Sequence, residues 1–300
     1  MVEPSKMNQN TTETIQSEEK AVLVSEEEVE QLKQCFPKAN FMGSNQIQLI
    51  KIQDFWYPLF LFSNILTCQR HFLAQDTDLV VASFPKTGTT WLKSLLFSIV
   101  NRFVQPPSQS SLLSHNPHEL VYDLETGVYG VDPKLPTPDQ LNDLPSPRLL
   151  HSHMPYASLP KSIQDSSCIA LNGPYFEHVL GYWKQSLEQP DKVLFLKYED
   201  LKENPSVYLK KLAEFIGMPF SPQEENEGVI KEILELCSID KLRELEINKN
   251  GNLNEFAQNK EFFRDGKVGG WTRYLSDPMV ERMNKLMEQK FGESGLSFKF

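Results

Sequence analysis

Residues 79–91 of the chain read LVVASFPKTGTTW and combine three local patterns. Its first six residues are apolar or small and include two β-branched valines, which is typical of a strand buried in a parallel sheet. Residues 85–90 are a polar turn, and the apolar segment from Trp91 to Phe103 is long enough for a buried helix. A strand, a short turn and a helix in this order predict an α/β unit.

The turn between this strand and this helix suits a phosphate group. The first amides of a helix lack intrahelical acceptors, and they carry a partial positive charge that attracts anions. Gly88 allows close approach of the backbone, Lys86 adds a cation, and Thr87, Thr89 and Thr90 add hydroxyl groups. The alternative is a tight turn that binds nothing. Lysine precedes the glycine here, whereas the Walker A motif places it after the second glycine, so a nucleotide hydrolase or kinase is the weaker alternative.

The rest of the chain continues the alternation of strands and helices. Further strands are predicted at 149–153, 167–171 and 192–198, and further helices at 26–35, 177–187, 206–216, 227–237, 241–247 and 279–291, the last with Asp277 as its N-cap. Residues 105–147 are predicted to be a long loop region with short elements. We therefore predict one α/β domain over 21–300, with a central parallel sheet flanked by helices, after a disordered acidic tail at 1–20.

Charge and composition exclude several classes of partner. The 300 residues carry a net charge of -10, and eight Glu and two Lys within residues 1–30 account for -6 of it. This balance argues against a general nucleic-acid or anionic-membrane binder but leaves room for a local cationic pocket. The 4 cysteines are widely spaced, as in a reduced cytoplasmic protein, and neither a secretory signal nor an apolar run of membrane-spanning length is present.

Five segments of the sequence resemble one known family. PKTGTTWL after VVASF is similar to the 5′-phosphosulfate loop of cytosolic sulfotransferases, particularly the plant type. Segments at 148–155, 198–202, 236–239 and 263–271 (RLLHSHMP, YEDLK, LCSI and FRDGKVGGW) resemble four further family motifs in the same order. The resemblance implies a P-loop-like α/β fold and transfer of a sulfuryl group from 3′-phosphoadenosine 5′-phosphosulfate (PAPS) to a hydroxyl of a small acceptor such as a flavonoid or a steroid-like hormone. It implies a monomer or weak homodimer and no metal.

The resemblance also implies the site residues. His153 takes the position of the catalytic base, and Lys86 that of the cation beside the leaving oxygen. The donor-binding positions are Lys86, Thr87, Gly88, Thr89, Thr90, Trp91, Tyr198, Ser238, Arg264, Asp265 and Gly266. From the residues alone, a neutral imidazole with a pKa of about 6.5 suits a general base, while the alternative is a core histidine. His151 is two residues from His153, but no further ligands lie nearby, so no metal site is expected. Trp91 packs either on adenine or in the core.

The sequence departs from the family at the 3′-phosphate. Family members carry a strand ending in Arg and a helix with a Ser, and both residues bind this phosphate. Here no Arg lies between Arg148 and Arg243, and Asp265 replaces the lysine of the family's Arg-Lys-Gly. We therefore expect that about 30 residues, one strand–helix unit, are absent near 168–173. Two or three lost charge-assisted bonds would weaken donor binding by roughly 3–8 kcal/mol. The alternative function is a catalytically impaired relative that acts only as a binding or interaction protein.

Overall fold

The computed structural model of the protein describes residues 24–41, 47–130, 132, 134–166, 169–173, 176–254, 257–270 and 274–298. The predicted disordered tail at 1–20 lies outside these ranges. Within them, the chain forms one α/β domain around a central parallel sheet, as predicted.

The N-terminal part of the domain is an antiparallel hairpin sheet between two helices. Helix α1 spans Glu26–Cys35, and its N-cap Ser25 accepts a hydrogen bond from the Glu28 amide at 3.2 Å. Strands β1 (Lys38–Asn40), β2 (Gln48–Ile52) and β3 (Phe55–Pro58) form a three-stranded antiparallel sheet in that order, and helix α2 (Phe62–His71) follows. Sequence patterns do not predict this sheet, because its strands are short and lack regular alternation.

The central sheet has five parallel strands. They are β4 (Leu79–Ser83), β5 (Tyr122–Asp123), β6 (Leu149–Ser152), β7 (Ile169–Gly173) and β8 (Val193–Phe195), in the spatial order β5-β6-β4-β7-β8. The carboxyl ends of all five strands meet at one edge, which is the edge where ligands bind in open parallel sheets. The predicted strand at 192–198 is wrong at its end. Tyr198 begins a helix instead. The first turn of this helix contains Glu199 and Asp200, and acidic side chains there stabilise a helix because its N-terminal end carries a partial positive charge.

Strand β7 lies at the position where the sequence departs from the family. It pairs with β4 in the register Leu79–Ile169 to Ser83–Gly173 and with β8 on its other side. The backbone of this segment therefore lies between β4 and β8 and joins the two halves of the sheet. The facing edges of β4 and β8 are both paired with β7. The sequence alone does not decide whether this segment fills that place.

The remaining elements are helices and one short hairpin. The helices are α3 (Thr89–Asn101), α4 (Pro117–Leu120), α5 (Pro138–Asn142), α6 (Lys161–Asp165), α7 (Phe176–Glu188), α8 (Tyr198–Glu203), α9 (Pro205–Phe215), α10 (Pro222–Glu227), α11 (Val229–Leu236), α12 (Ile239–Glu244), α13 (Glu246–Asn250) and α14 (Asp277–Phe291), and strands β9 (Asn252–Asn254) and β10 (Ala257–Gln258) form the hairpin. The N-cap of α14 is Ser276, not Asp277 as predicted. No helix in the described ranges is both long and apolar enough to cross a bilayer.

Strand β4 stands between two hydrophobic cores. Val80 and Ala82 pack into a cluster with α2, while Leu79 and Val81 pack on the other face against α3, α9 and α11. This alternation is the period of two expected of a strand with both faces covered. At the amino ends of β4 and β6, the buried Arg148 guanidinium donates to both carboxylate oxygens of Asp78, at 2.7 and 2.6 Å.

Candidate functional site

A cavity of about 1150 Å³ opens at the carboxyl edge of the central sheet. Its walls come from the turn after β4, the segment after β6, the start of α8, the start of α12 and the loop at 262–270. All twelve residues predicted for the site line it, namely Lys86, Thr87, Gly88, Thr89, Thr90, Trp91, His153, Tyr198, Ser238, Arg264, Asp265 and Gly266. The structure thus brings together segments that are up to 180 positions apart in the sequence.

The turn after β4 has the backbone geometry of an anion-binding loop. Lys86 and Gly88 both have positive φ, at 68° and 104°, and Gly88 is the N-cap of α3. A side chain at Gly88 would bring its Cβ to 2.7 Å from Cδ2 of Tyr198, so glycine is required by both conformation and space. The first-turn amides of α3 lack intrahelical acceptors, and they lie in the cavity wall at the positive end of the helix.

The threonines of the loop are already engaged with the protein. The Thr87 hydroxyl donates to the Phe84 carbonyl oxygen at 2.7 Å. The Thr90 hydroxyl lies 3.0 Å from Nε2 of His118, and the Thr89 hydroxyl lies 2.6 Å from the Ser83 hydroxyl. These contacts fix the loop before any ligand arrives, which lowers the entropy cost of binding.

Lys86 is held at the cavity wall by the loop from the C-terminal part of the chain. Its Nζ donates to the Glu261 carbonyl oxygen at 3.2 Å and lies 5.5 Å from the centre of the Phe262 ring. Partial burial lowers the pKa of Lys86, and the nearby Arg264 guanidinium lowers it further. Two cations that repel each other across a cavity would both be stabilised by an anion between them.

Charges of both signs line the cavity. The cations are Lys86, Lys202, Arg264 and Lys267, and the carboxylates are Glu199, Asp240 and Asp265. Gly266 has φ of 60°, and a Cβ there would meet Ile239 at 2.7 Å, so this glycine sets the close approach of the loop to α12. Ser238 is the N-cap of α12, where its hydroxyl accepts from the Lys241 amide at 3.2 Å.

Trp91 and Tyr198 form an aromatic wall of the cavity. Their ring centres are 5.8 Å apart in an edge-on arrangement, and Nζ of Lys202 lies 5.3 Å from the Trp91 ring centre. Trp91 also packs against the hydrophobic cluster formed with α3. Trp91 thus packs against the core and also borders the cavity, and its contact with adenine stays a prediction.

His153 follows β6 directly and is oriented by two protein contacts. Its backbone amide donates to Oε1 of Glu125, and its Nδ1 donates to the Ser83 carbonyl oxygen. A ring that donates from Nδ1 while neutral keeps its lone pair on Nε2. Burial lowers the pKa of His153 more than the surrounding charges raise it, so the imidazole is neutral at pH 7.

Two residues beside the loop, His118 and Phe262, were not predicted from the sequence. Nδ1 of His118 accepts from the buried Nζ of Lys93 at 3.1 Å, and its Nε2 contacts the Thr90 hydroxyl. The Phe262 ring packs on His118 with centres 4.2 Å apart. The capping box at Asn116 and Glu119, which positions His118 on α4, is a local sequence pattern that would have located this turn.

Asp123, His151 and His153 form the group of potential metal ligands that the described residues bring together, with ligand atoms within 4.8 Å of one another. Nδ1 of His151 lies 2.6 Å from Oδ2 of Asp123, a separation that leaves no room for an ion between them. Nε2 of His151 contacts the Ser83 hydroxyl at 3.1 Å. Both ring nitrogens of His151 and Nδ1 of His153 are thus engaged in hydrogen bonds, and a reaction without metal remains a prediction.

The chain is similar in sequence to known sulfotransferases. The family model described as a sulfotransferase domain matches residues 76–171 and 168–295, two segments that meet where the sequence departs from the family pattern. Cytosolic sulfotransferase 5 of Arabidopsis thaliana is 37% identical over 295 residues, covering 83% of this chain and 90% of that protein. Flavonol 3-sulfotransferase of Flaveria bidentis is 38% identical, covering 84% and 93%. Since 83% of 300 residues is about 249, roughly 46 of the 295 aligned positions of the first relative have no residue here.

Solved structures agree with the sequence matches. An Arabidopsis thaliana sulphotransferase structure superimposes with a TM-score of 0.70 at 31% identity, covering 92% of this chain and 98% of that one. A mouse sulfotransferase complexed with PAP superimposes with a TM-score of 0.60 over 81% of this chain and 94% of that one, at 18% identity, which supports the fold alone. The predicted family and fold are thereby confirmed, and the chain belongs to the sulfotransferase family.

Proposed function

We propose that the protein transfers a sulfuryl group from PAPS to a hydroxyl of a small acceptor. The observation that carries this proposal is the presence of His153 and Lys86 in the wall of one cavity, beside a helix N-terminus suited to a phosphate. Loss of the sulfuryl group from PAPS leaves 3′,5′-adenosine bisphosphate (PAP). PAP is bound in a solved mouse sulfotransferase of the same fold, which supports PAPS as the donor class.

The chemistry follows from the state of these two groups. Nε2 of His153 takes the proton of the acceptor hydroxyl, and the acceptor oxygen forms a new bond to sulfur. The bond between sulfur and the phosphate oxygen breaks, and its electron pair stays on that oxygen. The Lys86 ammonium and the first-turn amides of α3 then stabilise the charge on the departing phosphate. General-base catalysis by a positioned imidazole contributes about 10²–10⁴-fold.

The acceptor class rests on the relatives. Two curated relatives are named flavonol sulfotransferases, and one of them is 38% identical to this chain. We therefore infer a flavonol or a similar small polycyclic hydroxyl compound as the first acceptor class to test. The names of the cytosolic relatives support activity in the cytoplasm.

Binding of PAP tests the donor half of the proposal. We expect calorimetry to detect PAP binding by the wild-type protein. Lys86→Ala should weaken this binding about 10- to 100-fold, because a charge-assisted hydrogen bond to phosphate contributes about 1.5–3 kcal/mol. Lys184→Ala is the matched control, since Lys184 is exposed and pairs only with Glu188 at 3.7 Å among the described contacts. No binding at millimolar PAP would overturn the proposal.

Transfer from radiolabelled PAPS to a panel of flavonols tests the catalytic half. His153→Ala should bind PAP like the wild type but lose transfer by a factor of about 10² or more. An unchanged transfer rate in His153→Ala would refute the role of this residue as the base. Normal PAP binding by the wild type without transfer to any acceptor would instead favour a binding protein that lacks activity.

A further inference from the structure

Behind the turn at 85–90, which we call the phosphate loop, a buried series of hydrogen bonds runs from a carboxylate to a loop hydroxyl. Oδ2 of Asp123 lies 2.6 Å from Nδ1 of His151, and Nε2 of His151 lies 3.1 Å from the Ser83 hydroxyl. The Ser83 hydroxyl lies 2.6 Å from the Thr89 hydroxyl, in the first turn of α3. Each of these four residues is at most 7% exposed, so water does not compete for the bonds.

Ser83 connects the other residues of this hydrogen-bond series. Its hydroxyl contacts both His151 and Thr89, while its carbonyl oxygen accepts the Nδ1 proton of His153. One residue at the end of β4 therefore touches both the proposed base and the phosphate loop. The partners Asp123 and His151 meet because β5 and β6 pair in parallel with these two residues opposite each other.

The chemistry of each group fixes the direction of the bonds. Burial acts to raise the pKa of Asp123, but the attraction and hydrogen bond of His151 hold it well below the usual range, so the carboxylate only accepts. The proton of a neutral His151 is therefore on Nδ1, and its Nε2 must accept from the Ser83 hydroxyl. The Ser83 oxygen then accepts from Thr89, whose hydroxyl proton points inward, away from the cavity.

Protonation of His151 reverses the two hydroxyl bonds, between His151 and Ser83 and between Ser83 and Thr89, and leaves the direction of the bond to Asp123 unchanged. Nε2 then donates to the Ser83 oxygen, the Ser83 hydroxyl donates to Thr89, and the Thr89 proton is free to point at a ligand. We propose that Asp123 and His151 are positioning residues that act through Ser83 to set whether Thr89 donates to an anion in the cavity, so that phosphate binding draws a proton onto His151. This inference rests on the proposed function, because it takes the loop as the site of the 5′-phosphate.

The surroundings of His151 hold its pKa well below the usual range, so the imidazole is neutral until an anion adds negative charge nearby. Burial lowers the pKa of His151 most, and repulsion by Lys93 and His153 lowers it further, while Asp123 raises it. The titratable and charged groups that face this region from the packed elements are Asp123, Glu125, Lys93, His118 and His153. An anion bound at the loop adds negative charge next to this network and favours the protonated state of His151.

Calorimetry of PAP binding between pH 5.5 and 8.5, in two buffers of different ionisation enthalpy, tests the inference. Wild-type protein should take up more protons on binding than Ser83→Ala, which removes the hydroxyl junction but keeps the carbonyl that holds His153. The affinity of Ser83→Ala should be about 10-fold lower at pH 6, and its dependence on pH should be weaker. His151→Gln should behave in the same way. Equal proton uptake in all three proteins would overturn the inference.

Two controls separate this result from general destabilisation and from failure of the proposed function. Asp78→Asn disrupts the buried ion pair between Asp78 and Arg148 at the amino ends of β4 and β6, and it should lower stability without changing proton uptake on PAP binding. Nitrogen-15 spectra of the imidazoles need no ligand: they should show His151 protonated at Nδ1. A His151 protonated at Nε2 alone would overturn the inference, whereas absent PAP binding with the expected tautomer would overturn the proposed function instead.

Discussion

Replacement of Gly88 by alanine tests the geometry of the phosphate loop most directly. The φ of 104° at Gly88 costs a residue with a Cβ roughly 1–2 kcal/mol. The new Cβ would also lie 2.7 and 3.0 Å from two ring atoms of Tyr198, and overpacking of this kind costs about 1–3 kcal/mol. We therefore expect Gly88→Ala to lower the free energy of unfolding by roughly 2–5 kcal/mol.

Gly217→Ala is the matched control for backbone strain. Gly217 also has positive φ, at 73°, but no atom lies within 4 Å of the position that a Cβ would take there. Its replacement should cost only the backbone part, about 1–2 kcal/mol. Urea unfolding measures both variants, and the difference between them is the cost of the contact with Tyr198. Only Gly88→Ala should also weaken PAP binding, because only it changes the loop.

A double-mutant cycle separates the two contributions. Tyr198→Ala removes the ring that the new Cβ would meet, so Gly88→Ala should be less destabilising in that background by about 1–3 kcal/mol. Equal losses for Gly88→Ala and Gly217→Ala, or additive losses in the cycle, would refute the reasoning that the Tyr198 ring closes over the loop.

Three further changes probe the buried charges. Asp78→Asn leaves the Arg148 guanidinium buried without its carboxylate, and urea unfolding should show a loss of about 3–5 kcal/mol. Burial, and then repulsion by Asp123, raise the pKa of Glu125 to about 8. The folded state thus keeps a proton that the unfolded chain releases, and the wild type should lose stability relative to Glu125→Gln as pH rises from about 4.5 to 8 in a pH series of unfolding curves. Burial lowers the pKa of Lys93 to about 8, so the wild type should gain stability relative to Lys93→Met between about pH 8 and 10.5. A stability difference between these two proteins that does not change over this pH range would contradict the lowered pKa of Lys93.

Local signals in the sequence were sufficient for the phosphate loop. The strand, turn and helix around Gly88 are determined by residues within about 25 positions, and the structure contains all three, with the helix beginning two residues earlier than predicted, at Thr89. The same is true of α7 and α9, whose amphipathic patterns are long and regular. Bounds were less accurate where two elements abut, as at Tyr198, because a polar strand end and a helix start share the same residue types.

Contacts between distant segments were not predictable in this way. Asp123 lies in a region that the sequence indicates to be a loop, and its partner His151 is 28 positions later. Their meeting depends on the parallel register of β5 and β6, which no periodicity in the sequence specifies. The contact of Phe262 with His118 has the same character, since the two residues are 144 positions apart and meet only through the folded C-terminal loop.

The position of β4 between two hydrophobic cores has a consequence for hydrogen exchange. Its amides bond to β6 on one side and β7 on the other, and its side chains anchor both cores, so it cannot open without loosening the whole sheet. We expect its amides to exchange only through global unfolding, at the slow limit for the protein. The phosphate loop is attached to the most persistent strand in the molecule, and its shape should therefore outlast local fluctuations elsewhere.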